Sequence, residues 1–229
     1  MRRVNVTGGN LTLFDYCTAG PQFASGGFIA DSKTGFVING SQQQYIVRNS
    51  SIGGWSNAVW NQVFAGVQGA PAQTFPSPPY TTLATTPVSR EKPYLYVDAE
   101  GTYNVFVPEA RTDTSGTTWE TGPTAGESIP LSDFFLARPS DSVKTINMEL
   151  ARGKHLLLTP GVYDVDRSIS VKRSDTVVLG LGVATLTAVD GAVPMRVADV
   201  KGVDVAGLMI DAGTVNSPVL LQVGTPHAK

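Results

Sequence analysis

The phrase TVVLGLG at residues 176–182 returns as VDVAGLM at residues 203–209, 27 positions later, and this recurrence restricts the fold more than any other feature of the chain. Pro194 and Pro218 stand 24 apart, and residues 195–199 align with residues 219–223 at the same offset. Offsets of 24 and 27 leave space for three short strands and their turns. Such a circuit buries its apolar face only against a like neighbour, so the repeat predicts an all-β chain built as a right-handed parallel β-helix.

A coil of this kind needs a beginning, and residues 139–166 (PSDSVKTINMELARGKHLLLTPGVYDVD) supply one. Val143, Ile146 and Leu150 fall at i, i+3 and i+7, which gives a short helix one apolar face. Ser140 and Asp141 are the expected N-terminal caps, and Gly153 is the expected left-handed stop. After the stop, residues 155–159 are extended and Pro160-Gly161 turns them; residues 168–171 and 176–179 are again short and β-branched. A first coil has no preceding neighbour, so the helix is expected to cap it.

Residues 1–70 differ, with only two acids, Asp15 and Asp31, but nine of the 19 aromatics. Strands are expected over 10–17, 27–31, 36–39, 44–49 and 58–66. Residues 11–17 echo 45–51 at 34, and 28–32 echo 59–63 at 31, which suggests coils of about that length. Residues 71–93 carry six of the 15 prolines and read as a traverse outside the coils, because proline denies the ladder its N–H. A hairpin over 94–98 and 103–107 turning at Ala99-Glu100-Gly101 follows, then a polar loop over 111–128. The expected organisation is the end of a first β-helix (1–70), a proline-rich traverse with a hairpin (71–130), and a capping helix with the first coils of a second β-helix (131–229).

The net charge of -2 offers no basic track for a polyanion, so nucleic acid is set aside. No run reaches the ~20 apolar residues of a membrane span, and the first residues lack the apolar core of a signal peptide. Met1-Arg2-Arg3 leads at once into an alternating pattern, and Lys229 follows closely on a strand. Further protein, or another chain, is expected to cover the open coil ends. Cys17 is the only cysteine and reads as a core residue, and the sequons at Asn5, Asn10, Asn39 and Asn49 read as turn chemistry.

Residue chemistry points to one cluster: Gln42, Gln43, Gln44, Trp55, Asn57, Trp60, Asn61 and Gln62. Sugars are held by aromatic faces against C–H surfaces, with amides serving their hydroxyls. The competing reading is structural, with Asn and Gln stacked as ladders inside the coil and both tryptophans in the core. Glycoside hydrolysis needs two carboxyl groups. Asp164 with Asp166 and Asp98 with Glu100 are the paired acids; near a coil rim such pairs can hold Ca²⁺ or do acid-base work, but they read first as solvated turn residues. Gly180-Leu-Gly182 lacks the third glycine of a dinucleotide loop, Thr185 standing there instead, and reads as a coil corner. His155 and His227 lack metal-ligand spacing, so no metal or cofactor is expected.

The opening of the second coil, Thr145-Ile146-Asn147 through Gly161-Val162-Tyr163, resembles the tandem β-helix proteins of the pectate-lyase-like superfamily, nearest to the family 55 glycoside hydrolases, exo-β-1,3-glucanases and laminarinases, and their secreted actinobacterial relatives. The resemblance implies an extracellular enzyme whose site lies between two β-helices. There a glutamate of the second helix acts as acid, and Gln and Ser of the first hold the attacking water in an inverting reaction. Ser41 to Gln44 match the water-holding strand by composition and place. For the acid there is no candidate, because no glutamate follows Glu149. Two functions stand open: a module of a β-glucan hydrolase whose acid lies elsewhere, or a non-catalytic glycan-binding or adhesive β-helix. A purely structural spacer is the third.

Overall fold

A computed structural model of the chain describes residues 1–13, 26–40 and 44–225. Among them almost every regular segment is a strand, most strands pair in parallel with the strand one circuit later, and the chain is a parallel β-helix as its repeats require. Contacts divide it into two units, residues 1–91 with 108–126, and residues 92–107 with 127–229.

In the first unit, Gly26–Ala30, Gln44–Arg48, Gln62–Ala65 and Tyr80–Leu83 form one parallel sheet. Leu11–Thr12, Lys33–Ile38 and Ser51–Ser56 form another. Gly26 faces Gln44, Tyr45 faces Gln62, and Gln62 faces Tyr80, so successive circuits recur at offsets of 18, 17 and 18. The echoes at 34 and 31 therefore do not mark the coil: Leu11 stacks on Val37 and Phe28 on Ile46. Every rung carries the same apolar alternation, so loose matches arise at offsets that are not the register. Two further expectations are corrected. The proline-rich segment is not all traverse, since Tyr80–Leu83 is the fourth strand of the sheet, and Ser51–Ser56 is a full strand that its paired glycines disguised. Ile29, Val47 and Phe64 point inward from one sheet, and Val37, Ile52 and Trp55 meet them from the other.

Just past the first three strands of the first sheet the backbone turns left-handed. Asp31 (φ 48°), Asn49 (φ 43°) and Gly66 (φ 61°) stack in one column below Arg3 (φ 51°). This conformation costs most residues energy, and Gly, Asn and Asp least. The segment expected as a loop, 111–128, lies along this column instead of hanging free. Arg111–Thr114 pairs antiparallel with Thr86–Ser89, and the Gly116 amide donates to the Gly66 carbonyl. The buried Asn49 Oδ1 accepts from the hydroxyls of Thr86 (2.7 Å) and Thr114 (3.2 Å), while its Nδ2 donates to Ser89 (3.0 Å). The buried Asp31 carboxylate takes the amide and hydroxyl of Thr118 at 2.6 and 2.9 Å, and Arg3 at 3.0 Å. Polarity alone made this segment look solvated; its partners are polar groups buried on distant rungs.

The second unit has longer circuits. Phe134 faces His155, Leu156 faces Val178, Gly161 faces Ala184 and Ile169 faces Met195, offsets of 21, 22, 23 and 26. Val177 to Leu179 pair with Asp204 to Ala206 at the expected 27, and beyond an irregularity Ala184 to Thr187 pair with Leu208 to Asp211 at 24. The alignment of 195–199 with 219–223 is corrected by two positions, because Met195 faces Leu221.

The helix spans Val143–Ala151 and buries Val143, Ile146 and Leu150. Each such side chain contributes about 2 kcal/mol relative to exposure. Its cap is Ser142, whose hydroxyl accepts the Thr145 amide; Asp141 instead accepts the amide of Arg138. Gly153 (φ 97°) donates to the Leu150 carbonyl and Lys154 to that of Glu149, which closes the last turn. The Asn147 amide gives Nδ2 to the Ser168 carbonyl (2.9 Å) and takes the Ser170 amide on Oδ1 (2.8 Å). It thus supplies both hydrogen bonds that a preceding rung would have made along Ile169–Val171, and the helix covers that open edge.

Tyr94–Val97 and Tyr103–Pro108 make the expected hairpin, with the Glu100 and Thr102 amides held on Asp98 Oδ1. Gly126–Pro130 adds a third strand. Val105 and Val107, with Leu95 and Ile129, pack on Phe134, Leu157 and Leu179.

Candidate functional site

The cluster singled out by residue chemistry divides by burial. Gln42 and Gln43, with Ser41, lie outside the described residues. Gln44 opens its strand with an exposed side chain. Trp55 is 8% exposed and stands edge-on to Tyr45 (5.6 Å, 65°) and to Phe64 (5.2 Å, 83°), so it is core. Gln62 is fully buried. The structural reading thus holds for these two.

Residues 57–61, between Ser51–Ser56 and Gln62–Ala65, carry the exposed members. Trp60 is 52% exposed, and Asn57 and Asn61 flank it in solvent. The interior fixes this segment. Gln62 Nε2 donates to the Trp60 carbonyl (3.1 Å), the Tyr80 hydroxyl to the Asn57 carbonyl (2.8 Å), and Asn57 Nδ2 to the carbonyls of Asn39 and Gly40 (2.9 and 3.2 Å). Asn57 sits at φ 63°, a conformation asparagine tolerates better than most residues. An indole on an anchored loop offers a flat apolar face with little freedom to lose on binding.

The carboxylate pairs show no acid-base arrangement. Both oxygens of Asp98 are used within the hairpin, on Glu100, Thr102 and Asn104. Asp164 and Asp166 are exposed, and the hydrogen bond from Arg167 holds the Asp166 carboxyl below its usual range. A general acid near neutral pH needs the opposite displacement. His155 accepts the Val177 amide on Nδ1 (3.0 Å) and stacks on Phe134 with centroids 5.0 Å apart, a structural role. Burial first, and then Arg173, lowers its pKa. Gly180 and Gly182 lie in Val177–Ala188, Gly182 at the irregularity between Leu179 and Ala184, in keeping with a coil corner. Cys17 and His227 fall outside the described residues.

One ionic cluster around the buried Glu91 carboxylate was not legible in the sequence. Glu91 takes Arg48 at 2.8 Å and Arg2 at 3.4 Å, and both guanidinium groups lie over the Phe28 ring. Arg48 and Arg2 stand 43 and 89 positions from Glu91 in sequence, and no local signal joins them.

Residues 134–229 match the model of the LAM55 pectate lyase-like domain. Over 228 residues, 99% of its length, the chain is 53% identical to an exo-β-1,3-glucanase of Streptomyces sp. (strain SirexAA-E / ActE). The structure of sacteLam55A from Streptomyces sp. SirexAA-E matches all of the chain with a TM-score of 0.93 at 52% identity. A variant of sacteLam55A in complex with glucose gives 0.92. The chain spans 37% of the length of the first of these relatives and 41% of the solved chains. The resemblance to family 55 carried by residues 145–163 thus extends along the whole sequence.

Proposed function

We propose that this chain is the β-helix part of a secreted glycoside hydrolase that degrades β-1,3-glucan with inversion, and that the catalytic acid is supplied by residues outside it. The observation that carries the reading is 53% identity across 228 residues to an exo-β-1,3-glucanase. Two features of the chain support it. No glutamate follows Glu149, and the described acid pairs are tied into turns or ion pairs. Substrate contact falls to Trp60, Asn57, Asn61 and Gln44, with Gln42 and Gln43 beside them in sequence; Trp55 and Gln62 support them from within.

A segment exchange tests this. Residues 1–229 replacing the matching part of the Streptomyces glucanase should preserve release of reducing sugar from laminarin, and Trp60→Ala in that chimera should lower kcat/KM about tenfold or more. The chain alone should release none. A folded but inactive chimera overturns the hydrolase reading, and glucan retention without release would favour a binding module instead.

A further inference from the structure

The Trp60 loop has a neighbour on the next rung. Gln62 faces Tyr80 across the first sheet, and the Gln62 amide donates to the Pro79 carbonyl (3.0 Å). Residues 57–61 and 71–79 therefore enter the sheet at the same edge, one rung or about 4.8 Å apart. Gln44 opens the rung before them, since Tyr45 faces Gln62. Phe75 is 52% exposed in the second loop, as Trp60 is in the first.

Tyr80 fastens both loops. Its carbonyl accepts the amides of Thr74 (3.2 Å) and Phe75 (3.0 Å), while its hydroxyl donates to the Asn57 carbonyl (2.8 Å). The Thr74 hydroxyl closes the second loop on the Pro78 carbonyl (2.7 Å), and Gln73 Oε1 accepts the Thr82 amide (2.8 Å). The Tyr80 ring stands edge-on to the fully buried Phe64, with centroids 5.9 Å apart, so the shared anchor is seated on the core. Loops held in this way have little freedom left to lose on binding.

Charge decides what this edge accepts. Residues 49–89 contain no Asp, Glu, Lys or Arg. Between Lys33 and Arg90 the one charged side chain is Arg48, at the far end of its strand and paired with Glu91. Beside their rings the two loops present uncharged polar groups, among them the exposed Asn61 and Ser77. Neither loop offers a charge complement to a polyanion or a charged peptide. Flat apolar faces set among amides and hydroxyls suit a neutral ligand that is apolar on its faces and hydroxylated at its edges, which describes a pyranose chain.

We propose that Phe75 is a second stacking residue of the Trp60 site, and that it takes a further sugar unit of the same neutral β-glucan chain. The two loops then recognise a chain and not a single sugar. This rests on the β-glucan reading.

The test measures laminarin binding by the whole chain in affinity electrophoresis, beside kcat and KM of the chimera described above. Phe75→Ala should weaken binding about tenfold and raise the chimera's KM for laminarin by a similar factor, with kcat in place. Phe75→Leu, apolar but not flat, should behave as Phe75→Ala does, and Phe75→Trp should keep the binding of the chain. For laminaribiose, short enough for one loop, the KM should move by less than about twofold. Thermal unfolding should be unchanged in all three variants, because the ring is exposed. If Trp60→Ala weakens binding and Phe75→Leu does not, the second contact is overturned and the β-glucan reading stands. Equal binding of a carboxymethylated glucan overturns the neutral-chain recognition. An active chimera whose KM ignores Phe75→Ala removes this inference alone; no binding by the chain and no hydrolysis by a folded chimera remove the reading as well.

Discussion

The two units solve the same problem of turning a coil with different chemistry. In the first, the rungs from Gly26 to Leu83 recur at offsets of 17 or 18, and the corners are buried polar side chains satisfied by threonines and serines of residues 86–118. In the second, the offsets run from 21 to 27, the interior is filled with Leu, Ile, Val and Met, and a helix covers the first edge. Shorter circuits leave less room for apolar side chains, and the difference is made up by hydrogen bonds that must all be present together. The first unit should therefore fail through single polar substitutions that the second has no counterpart for.

The largest effects are shared by both. Phe64→Ala in the first core and Leu186→Ala in the second should each cost about 3–4 kcal/mol in denaturant unfolding, because both side chains are fully buried. A much smaller loss at Phe64 would mean the first unit does not depend on its apolar core. Asp31→Ala should follow at about 3 kcal/mol, since it removes the acceptor for Thr118 and an ionic partner of Arg3. Limited proteolysis within residues 111–124 should accompany that loss, and an uncut segment would break the contrast. Asn49→Ala should cost about 2 kcal/mol by removing the buried amide that Thr86, Ser89 and Thr114 share. In the second unit, Ser142→Ala should cost only about 1 kcal/mol, read as a small drop in midpoint.

The smallest effect concerns pH. Burial lowers the His155 pKa from 6.5, so its contribution is fully present above pH 6.5 and is lost as pH falls below that value through the lower folded one. Arg173 acts in the same direction, and Asp133 and Glu127 oppose it. The stability difference between the chain and His155→Gln should narrow over that window, and a difference that widens on acidification would contradict the assignment.

Of the candidate site, the residue types and the stretch were legible in the sequence, but nothing local separated Trp55 from Trp60. Both stand in a strand-rich stretch beside asparagine and serine. The left-handed Asn57 follows the strand that holds Trp55 in the core, and past it the chain carries Trp60 into solvent. The inward side of the hairpin, Leu95, Val105 and Val107, was visible only as an alternation, because which side of a hairpin meets the core depends on what it packs against.

Sequence by itself determined the coil of the second unit, its register at 177–179 and the apolar stripe of the capping helix, since these follow from local periodicity and turn chemistry. Tertiary structure alone decided the short circuits of the first unit, the docking of residues 111–124 on Asp31 and Asn49, and the division of the tryptophans between core and surface. Those outcomes depend on hydrogen bonds between residues 17 to 88 positions apart, and no short stretch of chain carries the information that pairs them.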